Sequence, residues 1–115
     1  MENIVDLTYL ETVCEGDKEF MQEMILAFIN AVPENMAEIK SLATKAEWTD
    51  IAKVAHKMKP SVTFMGIEPM KVKIVELETV CKQGASPAAI NQLISEIDAI
   101  VAVAVVELNK LMGDL

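Results

Sequence analysis

His56 is the only histidine in this chain of 115 residues, and it lies in the one basic stretch. Residues 51–73 hold five lysines and one acid. Residues 1–50 hold three lysines against eleven acids, and residues 74–115 two against six, within a net charge of −8. An imidazole with its ordinary pKa of about 6.5 is largely neutral near pH 7, and the neutral ring is a nucleophile. Ammonium groups beside it attract an anion as it arrives. On its own the pattern is weak, because a lone histidine among lysines is usually a solvated surface residue.

Helical geometry sharpens the picture. If His56 lies on a helix turning about 100° per residue, the apolar positions Trp48, Ile51, Ala55, Met58, Val62 and Met65 centre roughly 130° away from it. The ring is therefore expected to face solvent. Ala52 and Pro60 fall about 40° to either side, and both are short. Lys53 and Lys59 flank it at about 60°, Lys57 is further round, and Thr63 lies nearly in line two turns on. Phe64 falls about 80° from His56. Either it belongs to a partner-docking face, or a bend at Pro60 turns it inward; a Phe near a helix end is more often core, which favours the bend.

The other reactive side chains offer less. Cys14 and Cys81 are far apart without metal-like spacing, and the lone histidine adds at most one ligand. Both are expected to be reduced core or boundary residues, with no metal site and no functional disulfide.

The elements that must hold His56 are helices. Apolar residues recur in steps of three and four almost throughout. A short helix is expected over about Asp6 to Cys14, closed by "EGD" at Glu15 to Asp17. Asp17 then caps a long helix with the stripe Met21, Ile25, Phe28, Val32, Met36, Ile39 and Ala43, which Pro33 should bend or divide. The helix of His56 starts near Glu47 to Asp50 and stops at "MGIEP". Pro69 opens a fourth helix with Met70, Ile74, Leu77 and Cys81 inward. Ser86-Pro87 caps a last one with Ile90, Ile94, Ile97, Val101, Ala104, Leu108 and Leu111 inward. Residues Ile100 to Val106 are β-branched enough to form a strand locally, but the helical period on both sides outvotes that. The expected fold is all-α: a single domain over residues 1–115, an antiparallel up-and-down four-helix bundle with a short additional N-terminal helix.

"AHKMKPSVTFMG" (Ala55 to Gly66) resembles the signature of the histidine-containing phosphotransfer (HPt) family. That signature is a His, any residue, a Leu-like residue, Lys, Gly, a short Ser-rich stretch and a later Gly. His56 matches the phospho-accepting histidine, Met58 the Leu-like position, Lys59 the lysine, Ser61 the small residue and Gly66 the closing glycine. "GDKEFMQEMILAFINAVPENMAEI" (Gly16 to Ile39) is similar to the family's preceding long helix, and "WTDIAKVAHKMK" to its approach to the histidine. Pro60 departs from the pattern, standing where the family usually has Gly; it cannot donate to the carbonyl of His56, so a bend is expected.

The resemblance implies a phosphorelay carrier rather than an enzyme. A receiver-domain aspartyl phosphate would donate to the outer nitrogen of His56, and the aspartate of another receiver would accept. Lys59 is the first candidate for charge support, with Lys53 and Lys57 behind it; Ala52, Pro60 and Thr63 surround the site. Phe64, Met21, Met24 and Phe28 are candidates for the docking surface, although a core role suits the last three better. No cofactor is expected on this chain, the Mg²⁺ belonging to the receiver. The alternative is a helical module that binds receivers without carrying phosphate.

Other classes fit poorly. The acidic balance disfavours nucleic acid. No glycine-rich nucleotide loop suggests a kinase, and no His-acid-nucleophile set suggests a hydrolase. The longest apolar run, Ala99 to Val106, is far short of the roughly 20 residues that span a bilayer, and "MENIVDL" lacks a basic leader. A cytoplasmic monomer standing alone is expected, although the flank Ile100, Val103 and Val106 offers a surface for pairing.

Overall fold

A computed structural model describes residues 3–115. Among these residues there are five helices and no strand: α1 (Thr8–Val13), α2 (Lys18–Thr44), α3 (Trp48–Phe64), α4 (Glu68–Gln83) and α5 (Pro87–Asp114). The chain is a helical bundle in which α3 packs on α2 and α4, and α5 packs on the same two. The side chains buried between them form one hydrophobic cluster.

The caps set the boundaries where the sequence predicts. Asp17 accepts from the backbone N–H of Phe20 at 3.1 Å, and Ser86 from that of Ala89 at 3.2 Å, each satisfying an orphan donor of a helix first turn. Pro69 and Pro87 occupy first-turn positions where no N–H is needed. α1 is shorter than expected, beginning at Thr8.

The apolar stripes are buried as their spacing requires, with Ala43, Trp48 and Leu111 only half-buried at the ends. Val54, Ala52 and Leu93 join the core in addition. Cys14 and Cys81 are buried, free thiols. Neither proline divides its helix: α2 runs unbroken through Pro33 and α3 through Pro60. Burial of the flanking turns holds these helices together despite the missing hydrogen bond.

α5 corrects a sequence reading. Over its 28 residues it is long and apolar enough to cross a membrane by length and composition. The apolar run alone understated this, because charges are sparse over the whole helix. Ile90, Leu93, Ile94, Ile97, Val101, Ala104 and Leu108 point into the bundle core, the role the stripe predicts. On its flank Val103 and Val106 are exposed and Ile100 is half-buried.

The N-terminal segment is tied down next to the end of α3. Glu107 of α5 accepts from the backbone N–H groups of Ile4 and Val5 at 2.9 and 3.0 Å. The N–H of Asp6 donates to the carbonyl of Met65 at 3.3 Å. These bonds lay α1 beside the last turns of α3.

Candidate functional site

His56 stands on the outward side of α3, its side chain 68% exposed. The apolar residues Ile51, Ala55, Met58 and Val62 anchor the other side of that helix. α4 is the helix it faces, and one residue there dominates. Glu78 is a carboxylate buried to 10% side-chain exposure, with Oε2 at 3.0 Å from His56 Nδ1.

Two lysines share the same carboxylate. Lys59 Nζ lies 2.8 Å from Oε1, and Lys82 Nζ lies 3.1 Å from Oε2. The hydrogen bond from Lys59 is the largest influence on Glu78, with Lys82 adding to it. Together they hold the carboxyl down at about 2, against the opposing effect of burial. Glu78 is thus ionised at any neutral pH.

An ionised carboxylate only accepts. The hydrogen in the His56–Glu78 contact therefore sits on Nδ1. In the neutral ring that leaves the lone pair on Nε2. A carboxylate fixing one ring nitrogen so that the other can act is a general device for orienting a histidine.

Two shallow grooves flank the ring. One, of about 380 Å³, is lined by Tyr9, His56, Lys59, Pro60, Thr63 and Phe64. The other, of about 310 Å³, is lined by Thr49, Ala52, Lys53, His56, Glu78 and Lys82. Among the described residues the ring is left largely open to solvent between these grooves.

Several expectations need correcting against this geometry. Lys59 is not a free cation awaiting an anion: it is one-third exposed and paired to Glu78. Ala52 keeps its place as a short neighbour of the ring, buried and lining one of the grooves beside it. Lys53 lies in that groove with its Nζ 3.9 Å from Asp50. Lys57 faces away, into a groove between α2 and α3 with Glu38 and Leu42. Pro60 and Thr63 are exposed beside the ring.

Phe64 falls between the two alternatives, packing partly against the core while lining the groove beside His56. It is half-buried, and its ring stacks on Tyr9 of α1, with centroids 5.6 Å apart and planes at 26°. Met21 and Phe28 are buried in the core, so neither presents a docking surface. Met24 is half-buried and packs against that core.

Sequence reasoning missed Glu78, Lys82 and Tyr9. Glu78 gave one usable signal: it is the acid in an i, i+4 pair with Lys82 on a helix whose apolar stripe, Ile74, Leu77 and Cys81, runs beside it. Nothing in the sequence aligns α4 with α3 so as to bring it to His56.

Comparison with known families points the same way as the geometry. The model of a family described as "Hpt domain" matches residues 23–104, which contain His56, Lys59, Glu78 and Lys82. Neither the curated proteins nor the solved structures gave a match.

Proposed function

The chain belongs to the Hpt domain family, whose members take part in histidine phosphotransfer in two-component systems and interact with receiver domains; on that premise we propose that it accepts a phosphoryl group on Nε2 of His56 from a receiver-domain aspartyl phosphate and passes it to the aspartate of another receiver. The observation that carries the reading is the outward imidazole whose Nδ1–H is fixed by a buried, ionised Glu78.

The chemistry follows from the tautomer. The lone pair of Nε2 forms the N–P bond as the P–O bond breaks, and the released electron pair stays on the departing aspartate carboxylate. The phosphorylated ring keeps its hydrogen on Nδ1 and is cationic, which the Glu78 carboxylate opposite it stabilises. In the return step the ring leaves as neutral imidazole instead of imidazolate, a far better leaving group. One hydrogen bond thus serves both directions. Mg²⁺ on the receiver supplies charge neutralisation at the donor phosphate, and this chain contributes position and electrostatics.

In this reading residues 1–115 act as one domain, a cytoplasmic monomer with the four long helices arranged up-and-down. The chain has no nucleotide chemistry of its own and binds neither nucleic acid nor membrane. The compact Pro60 leaves the ring open to the receiver as the family's usual glycine does.

The test is transfer of labelled phosphate from a phosphorylated receiver. Acid-labile, alkali-stable label is expected on the wild-type chain and absent from His56→Gln. Tight binding of receivers with no label would instead make the chain a non-catalytic docking module.

A further inference from the structure

Lys59 and Lys82 both pair with Glu78, but they are not equivalent. Lys59 holds Oε1 by itself, at 2.8 Å, with its side chain only 33% exposed. Lys82 lies 3.1 Å from Oε2, the oxygen that also accepts from His56 Nδ1, and its side chain is 64% exposed. Oε2 is shared between two donors, and the longer, more exposed contact of Lys82 gives it the weaker claim on the carboxylate and the greater freedom to move.

Its surroundings suit an anion. Lys82 lines the groove beside the ring that is floored by Ala52, too short to obstruct it, and walled by Thr49 and Lys53. Lys53 already has Asp50 as a loose partner. With the ring neutral, the cluster of Lys59, Lys82 and Glu78 carries one positive charge in excess. Transfer to Nε2 adds PO₃⁻, one negative charge. The loaded site is then neutral overall, and a lysine that reaches the phosphoryl oxygens brings the opposite charges into contact.

Building on the carrier reading of His56, we propose that Lys82 leaves Glu78 when Nε2 is loaded and pairs with the phosphoryl oxygens, while Lys59 stays on the carboxylate and keeps it aimed at Nδ1. The charge-bearing group for the phosphoryl is then supplied by α4 rather than by the lysines of the histidine's own helix. Lys59 acts as a positioning residue, through Glu78. A lysine held in reserve on a carboxylate meets the arriving charge without leaving an unpaired ammonium in the empty state.

The test needs no receiver. The full chain is loaded with potassium phosphoramidate, a small phosphoryl donor, and the N-phosphoryl group is titrated by ³¹P NMR. An ammonium in contact favours the dianion, so Lys82→Ala is expected to move the second ionisation upward by about half a pH unit or more. Lys82→Arg should restore the wild-type midpoint, and ¹⁵N shifts should show Nδ1 still protonated in both variants. An unchanged midpoint in Lys82→Ala overturns the proposal and leaves the carrier reading intact. A wild-type chain that takes no phosphoryl on His56 from phosphoramidate or from a phosphorylated receiver overturns both.

Discussion

The Glu78 carboxylate gives His56 a defined tautomer, and replacing its charge while keeping its shape isolates that contribution. In Glu78→Gln the side-chain amide offers either a donor or an acceptor, so Nδ1 is no longer obliged to carry the hydrogen. Both lysines lose their anion as well. Transfer through His56 is expected to slow by roughly tenfold or more, with ¹⁵N shifts reporting a mixture of tautomers. A Gln variant that transfers at the wild-type rate would remove Glu78 from the mechanism. The same carboxylate also links stability to pH. Its pKa is lowered from an ordinary 4.5 to about 2, chiefly by Lys59, so its contribution to folding is full above about 4.5. That contribution is lost as pH falls toward 2. The melting temperatures of wild type and Glu78→Gln should accordingly differ at pH 6 and converge between pH 4.5 and 2. A gap that stays constant down to pH 2 would show that the shift is not linked to folding.

The connections between helices explain which parts of the motif are architectural. After α3 the N–H of Gly66 donates to the carbonyl of Thr63, and that of Ile67 to Val62, closing the helix with a left-handed residue at Gly66, φ 61°. A Cβ there would overlap the backbone carbonyl of Asp6. The closing glycine of the signature thus admits the N-terminal segment that brings Tyr9 onto Phe64. Gly66→Ala should cost about 2 kcal/mol or more in urea unfolding and release the protection of the Asp6 amide in hydrogen exchange. Unchanged protection at Asp6 would separate the glycine from that docking. α2 ends with the same pair of bonds, Ala46 to Ala43 and Glu47 to Leu42, but there the left-handed residue is Ala46, φ 55°. Ala46→Gly should therefore stabilise the chain by about 0.5–1 kcal/mol, read as a higher urea midpoint at unchanged slope. The sequence shows these elements well where local chemistry decides them: the caps Asp17 and Ser86, the first-turn prolines and the three-and-four stripes. It also places His56 outward correctly, because that depends on one helix alone. Glu78, 22 positions beyond His56, and the Tyr9–Phe64 stack are set by the register between elements, and no local pattern encodes register.

Across the whole molecule the net charge of −8 is spread over a body 43 × 26 × 20 Å, with Lys53, Lys59 and Lys82 in the grooves beside His56. Away from the Glu78 cluster, the ion pairs Lys40–Asp98 from α2 to α5 and Lys73–Glu96 from α4 to α5 are partly solvated and stabilise little. Repulsion among the acids is therefore the electrostatic effect that salt should change most. At 0.01 M salt the screening length of about 30 Å exceeds the two shorter dimensions, and every acid feels the others; at 0.15 M it falls to about 8 Å. The melting temperature at pH 7 is expected to rise by a few degrees between those conditions. Near the sequence pI of about 4.6 the rise should vanish, because the excess charge is gone. A melting temperature that drops with salt at pH 7 would mean that the ion pairs outweigh the repulsion. The same length governs what a docking protein meets. At 0.15 M a receiver within about 8 Å of His56 senses Lys53, Lys59 and Lys82 in the adjoining grooves, while charges farther from it than that are largely screened. Reversing the charge at Lys53, which touches neither the ring nor Glu78 by any ion pair or hydrogen bond in the structure, should slow the encounter with an acidic receiver without altering the tautomer of His56. Stopped-flow association of Lys53→Glu against wild type at 0.15 M measures this; equal rates would place the steering charge elsewhere on the surface.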